Sequence, residues 1–129
     1  MLSPTLRKDL LRTLVTRTLR CGLARGIVED ALVEVADPAY ERQPVTFGEP
    51  YEDGIVVAVD NDDDVLFAAW ATDSDYEVTH WFMVDEQGTL LAAGECKRIL
   101  SPQRGDSIRF WPGDLTVGLE DPTTLRIGG

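Results

Sequence analysis

The apolar positions of this chain change period once, from one every three or four residues near the start to alternation and short runs thereafter. Leu6, Leu10 and Leu14, with Leu11, Val15 and Leu19 beside them, recur at i, i+4. That spacing lines side chains along one stripe of a helix. Ser3 stands where an N-cap belongs, and Pro4 follows at the first helical position, where its missing N–H costs nothing. Gly22, next to Cys21, reads as the helix stop. Thr13, Val15, Thr16 and Thr18 work against the helix, because β-branched side chains lose rotamer freedom there.

After Gly26 the pattern is extended. Ala31–Val35 is a short strand ended by Asp37-Pro38, and Val45–Phe47 is another, ended by Gly48-Glu49-Pro50. Asp53-Gly54 turns into Ile55–Val59, apolar on both faces and therefore central in its sheet. The acidic turn Asp60–Asp64 leads into Val65–Ala69. From Glu77 to Asp85 one face carries Val78, His80, Phe82 and Val84 and the other Thr79, Trp81 and Met83. A hairpin loop at Glu86–Gly88 opens Thr89–Ala93, which extends as far as Lys97; Ser107–Phe110 and Leu115–Leu119 are the last strands. About eight strands at roughly 8–12-residue spacing predict a mainly β fold, an antiparallel β-sandwich or jelly-roll-like domain. The expected division is a basic helical segment over residues 1–26 and the β-sandwich domain over 27–129.

Charge sharpens that division. Residues 1–25 carry six basic side chains (Arg7, Lys8, Arg12, Arg17, Arg20, Arg25) against Asp9 alone, a net +5, within a chain of net −11; residues 26–129 therefore carry −16. Such a body repels phosphate, so no nucleic acid partner is expected, and the cationic helix is expected to lie on an acidic surface, its own body or a neighbour's. No apolar run approaches the ~18 residues of a membrane span, and the basic helix has no Trp or Phe to anchor it on a bilayer, so no membrane partner is expected either. At 129 residues the chain is one domain that needs no disulfide staples, and Cys21 and Cys96 read as two free thiols.

Candidate chemistry is sparse. Asp60, Asp62 and Asp64 have the spacing of a calcium loop, but Val65 replaces the glycine that such a loop requires and Ala71 replaces its twelfth-position Glu. A solvated acidic turn is the expectation. His80, the single histidine, lies among strand apolars as a hydrogen-bonded core residue, with no nucleophile and orienting acid placed around it. Arg104-Gly105-Asp106 reads as a tight turn. Trp81 is expected in the core or at a subunit contact, while Trp70 and Trp111, in or beside turns, are the candidate interface aromatics. No catalytic residue, metal ligand or cofactor is expected, and the chain is not read as an enzyme.

One ordered series carries a resemblance. Tyr40-x-Arg42-Gln43-x-Val45-Thr46-Phe47 is followed by Asp64-Val65-Leu66-Phe67, then by Val78-Thr79-His80-Trp81 running to Asp85. Gln87-Gly88-Thr89-Leu90-Leu91-Ala92-Ala93-Gly94, Gly105-Asp106 and Leu115-Thr116-Val117 complete it. In this order the residues resemble a family of small tailed-phage virion proteins, the phage tail fibre or tail-tip proteins, over about residues 28–120. The resemblance implies an all-β virion component that is part of a symmetric assembly, put together in the host cytoplasm. The expected function is a structural part of the tail fibre, tail tip or baseplate that self-associates, with a trimer favoured, and attaches to other virion proteins. Leu6, Leu10, Leu11, Leu14, Arg7, Arg12, Arg17 and Arg20 are the expected anchor. A capsid decoration protein on the phage head, and a glycan- or host-binding module, are the alternatives.

Overall fold

The computed structural model describes residues 2–120. The helix α1 spans Pro4–Val15; the strands are β1 (Leu19–Val28), β2 (Ala31–Glu34), β3 (Gln43–Val45), β4 (Tyr51–Asp53), β5 (Val56–Asp60), β6 (Val65–Leu66), β7 (Val78–Val84), β8 (Leu90–Leu100), β9 (Arg109–Phe110) and β10 (Thr116–Glu120). All strand pairs are antiparallel. A five-stranded sheet runs β2-β1-β7-β8, with β3 also on β1; a three-stranded sheet runs β10-β5-β4, and β6 pairs with β9. The fold is mainly β with one N-terminal helix and no closed barrel among the described residues.

The helix begins as its sequence dictates. Ser3 Oγ accepts the Leu6 N–H at 3.1 Å, and Pro4 follows it. It ends at Val15, seven residues before the expected stop at Gly22, once the β-branched Thr13, Val15 and Thr16 have accumulated. The chain then becomes a strand: Leu19, Cys21 and Leu23 alternate into the core while Arg20 faces out. The expected boundary at residues 26 and 27 falls inside this strand, and the end of the expected domain, residues 121–129, lies outside the described residues.

Gly22 has a different task from ending a helix. It lies opposite Phe82 in the β1–β7 register, and a Cβ there would come within 2.2 Å of the Phe82 ring. Gly94 stands opposite Trp81 in the same way, with 2.8 Å between an added Cβ and the indole. Each glycine is the seat of an aromatic from the neighbouring strand, an arrangement that fixes register because no other residue fits.

One core joins the sheets. Leu23 and Met83 from the five-stranded sheet share one buried cluster with Val57 and Val59 from β5 and with Phe67, Trp70 and Leu115. Burial of Val57, Ala58 and Val59 in succession matches the central position expected for this strand. A second, smaller cluster of Ala24, Phe82 and Val84 occupies the other face of the five-stranded sheet. Cys21 and Cys96 are free; burial pushes the Cys96 thiol up to about 11 and the Cys21 thiol higher still, so neither is a ready nucleophile.

Candidate functional site

The segment expected to act in assembly is α1, and the structure divides its residues between two faces. Leu11 is buried, and Leu14 and Val15 pack against the same core. Arg7 is only 6% exposed. Its guanidinium donates to the carbonyls of Ile55 at 2.5 Å and Leu119 at 3.2 Å, and to Leu2 at 3.2 Å through Nε. The Ile55 and Leu119 carbonyls sit just before β5 and near the end of β10, so a buried charge ties the helix to the three-stranded sheet. Lys8 pairs with Glu52 at 3.2 Å and Arg12 with Glu49 at 3.2 Å. The basic helix therefore lies on its own acidic body. These exposed pairs set orientation more than stability.

The other face is open. Leu6 is 44% exposed and Leu10 47%, one helical turn apart. Arg17 and Arg20 lie beyond the helix, Arg17 within 3.9 Å of Asp85 and Arg20 exposed on β1. Thus Leu11, Leu14, Arg7 and Arg12 are spent inside the chain, and Leu6 and Leu10 remain as an apolar stripe at its surface.

The two candidate interface tryptophans separate as well. Trp70 is 2% exposed, so it belongs to the core and not to a surface. Its indole donates to Tyr76 Oη at 3.1 Å, and its ring leans on Tyr40, which stacks on Phe67. The residue sits beside a turn, as expected, but that turn folds over it: Gly105 N–H donates to the Trp70 carbonyl and Trp70 N–H to the Asp106 carbonyl, each at 2.8 Å. Arg104-Gly105-Asp106 is indeed a turn, with Gly105 at φ +91°. Trp111 is 56% exposed, with the Arg109 guanidinium 3.7 Å above its ring.

The acidic turn is held by protein donors. Asp60 accepts from Tyr51 and Thr116, Asp62 from Thr46, and Asp64 pairs with Arg109. Among them Asn61 is 2% exposed and makes four side-chain hydrogen bonds. Its Nδ2 donates to the carbonyls of Asp63 and Trp111, and its Oδ1 accepts from Gly113 and Leu115. Apolar periodicity gives no notice of this residue. The available signal is one neutral amide, able to donate, in a run of carboxylates that cannot.

Tyr40 and Arg42, from the motif that opened the resemblance, converge on Glu34. Arg42 grips its carboxylate at 2.9 Å through two nitrogens, and the Tyr40 hydroxyl donates to it at 2.6 Å while accepting the Leu23 N–H. This links the loop after β2 to β1. Burial works to raise the Glu34 carboxyl, but the hydrogen bonds from Arg42 and Tyr40 outweigh it and hold the group below the usual carboxylate range. A carboxyl depressed in the folded state adds stability that is complete above its unfolded value, about 4.3, and is lost as pH falls through the folded one. Glu34→Gln should therefore lower Tm at pH 7, and the gap from the parent should close below about pH 4. A gap independent of pH would show that the ionised pair is not what stabilises this junction.

His80 is half-buried, its Nδ1 2.8 Å from Thr79 Oγ1. Among the described residues no three His, Cys, Asp or Glu side chains converge as metal donors.

With these positions in place, comparison with known families gives a match over most of the chain. Residues 19–118 match the family described as podophage GP4 fiber I protein gp80. The chain belongs to this family. The matched span starts on the first residue of β1 and runs into β10, so it takes in every sheet of the fold and leaves α1 outside. No curated protein matches the chain. Membership in the fibre I family makes the protein a phage tail fibre family member and a virion component. The resemblance carried by Tyr40, Arg42, Asp85, Gly94 and Asp106 points to the same place, and all five have visible structural work, Asp106 by accepting the Trp70 N–H at its carbonyl and the Gln103 N–H at its carboxylate. Tyr40 and Arg42 hold Glu34, Asp85 accepts the Gln87 and Thr89 N–H groups in the β7–β8 hairpin, and Gly94 seats Trp81.

Proposed function

We propose that this chain is a structural component of a podophage tail fibre that self-associates through α1 and is attached by the same end to a neighbouring virion protein. The observation that carries this reading is the division of the helix. Its inner face is consumed by the chain's own core and by Arg7, while Leu6 and Leu10 form an exposed stripe that the described body leaves open. Burying such a stripe against a second helix is the ordinary way to remove it from water. A trimer is the expected assembly, with the acidic body outward and self-repelling except where helices meet.

Leu6→Asp with Leu10→Asp should convert the assembly to monomers in sedimentation velocity while leaving the far-UV circular dichroism and urea midpoint near those of the parent. Both residues are half-exposed, so the cost to the monomer fold is small, within about 0.5 kcal/mol per site. A parent protein that sediments as a monomer, or a variant that assembles as the parent does, would remove α1 from the account.

A further inference from the structure

The surface grooves differ in charge. Where Thr18 and Arg20 meet the β7–β8 loop, two cations face two acids, and beside Ile27 and Val28 one cation faces two acids. The groove near Gln43 and Thr46 holds Asp63 and Asp64 with no cation, and that near Leu32 and Leu90 sets Arg42 against Asp30 and Glu34. The groove between β8 and β9 is the reverse: Lys97, Arg98 and Arg109 line it against Asp114 alone. Residues 26–120 contain only five cationic side chains, so three of the five converge here, on a body that is otherwise strongly acidic.

The remaining lining is apolar and aromatic. Phe110 and Trp111 contribute to one wall, and the free volume is about 340 Å³, the size of one or two sugar rings. Arg109 covers one side of the Trp111 ring and is itself paired with Asp64. That leaves the rest of a residue that is 56% exposed available to a ligand. Lys97 leans on Asp114 at 3.6 Å and on the Gly113 carbonyl at 3.3 Å. Arg98 makes no ion pair or side-chain hydrogen bond among the described residues, so its charge is not committed elsewhere in them.

We propose that this groove binds an acidic glycan, a sugar bearing a carboxylate. A pyranose ring presents a flat face of C–H groups that packs on an indole, and its hydroxyls bond to groups such as the Asp114 carboxylate and the Lys97 ammonium. Arg98 receives the sugar carboxylate, in the planar two-point geometry a guanidinium offers. The net positive groove gives such a ligand a favourable approach to a body that is strongly acidic overall. This site is separate from α1 and does not depend on the assembly reading.

The test is isothermal titration of the full-length protein with trigalacturonic acid, with maltotriose as the neutral probe. The parent should bind trigalacturonic acid at least about tenfold more tightly than maltotriose, and the affinity should fall as salt rises. Trp111→Ala and Arg98→Glu should each weaken it by about tenfold or more, with the circular dichroism spectrum kept. Arg98 is exposed and makes no ion pair or side-chain hydrogen bond among the described residues, so its variant should fold whatever becomes of Trp111. The proposal fails if neither sugar binds, if maltotriose binds equally well, or if both variants bind trigalacturonic acid as the parent does.

Discussion

Trp70→Ala is expected to cost the fold about 3–5 kcal/mol, the range for removing a buried Trp or Phe side chain. The residue is 2% exposed and among the largest fully buried side chains of the core. Its loss leaves a cavity beside Tyr40 and Phe67, and it strips Tyr76 Oη of its indole donor. Its backbone bonds to Gly105 and Asp106 hold the neighbouring turn against that site, so the space cannot collapse freely. Against a total stability of about 5–15 kcal/mol, the midpoint of urea unfolding should drop steeply. A surface tryptophan would behave differently, leaving the monomer within about 0.5 kcal/mol of the parent and altering only association. That outcome would return Trp70 to the interface position its sequence context suggests.

Asn61→Ala is the second large effect, at about 3–4 kcal/mol for four hydrogen bonds at roughly 1 kcal/mol each. The side chain joins the end of β5 to the segment from Trp111 to Leu115, which carries the chain into β10. Deleting the amide leaves the buried Leu115 N–H without its Oδ1 acceptor, whereas Gly113 N–H keeps the Asn61 backbone carbonyl. Asn61→Asp separates the two halves of the amide: it keeps an acceptor but turns a charge toward the carbonyls of Asp63 and Trp111. Its deficit at pH 7 should therefore match or exceed that of the alanine variant and shrink under acid, when a protonated carboxyl can donate. Unfolding curves for both variants at pH 7 and pH 4 check this. Equal stability of parent and Asn61→Ala would mean the connection holds without the amide.

The fold is legible in the sequence wherever local and tertiary signals agree. β5 is readable as central because the run Ile55–Val59 is apolar on both faces. β7 and the start of β8 are readable because they alternate and because Gly88 marks their hairpin. β1 is not, and the reason is specific. Leu11, Val15 and Leu19 continue the helical spacing across the true helix end, while Leu19, Cys21 and Leu23 begin a period of two that shares Leu19 with it. Gly22 then looks like a stop, because the aromatic that occupies its missing side-chain space, Phe82, is sixty residues away in the chain. β4 escapes notice since Tyr51, Glu52 and Asp53 are all exposed and show no apolar pattern.

The candidate site is legible in part for the same reason. Periodicity places Leu6, Leu10, Leu11 and Leu14 on one helix, but only the packing can say that Leu11 and Leu14 face the core and Leu6 and Leu10 do not. Nothing local distinguishes Arg7 from Arg12. The first is buried on the Ile55 and Leu119 carbonyls and the second lies on the surface with Glu49, a difference created by strands that arrive some forty or more residues later.

The most direct test of the account is gold labelling of intact particles with an antibody to this protein, viewed by electron microscopy. Label at the tail is the predicted result, with the acidic β body outward and α1 toward the particle. Label over the head, or absence of the protein from purified particles by mass spectrometry, would contradict it.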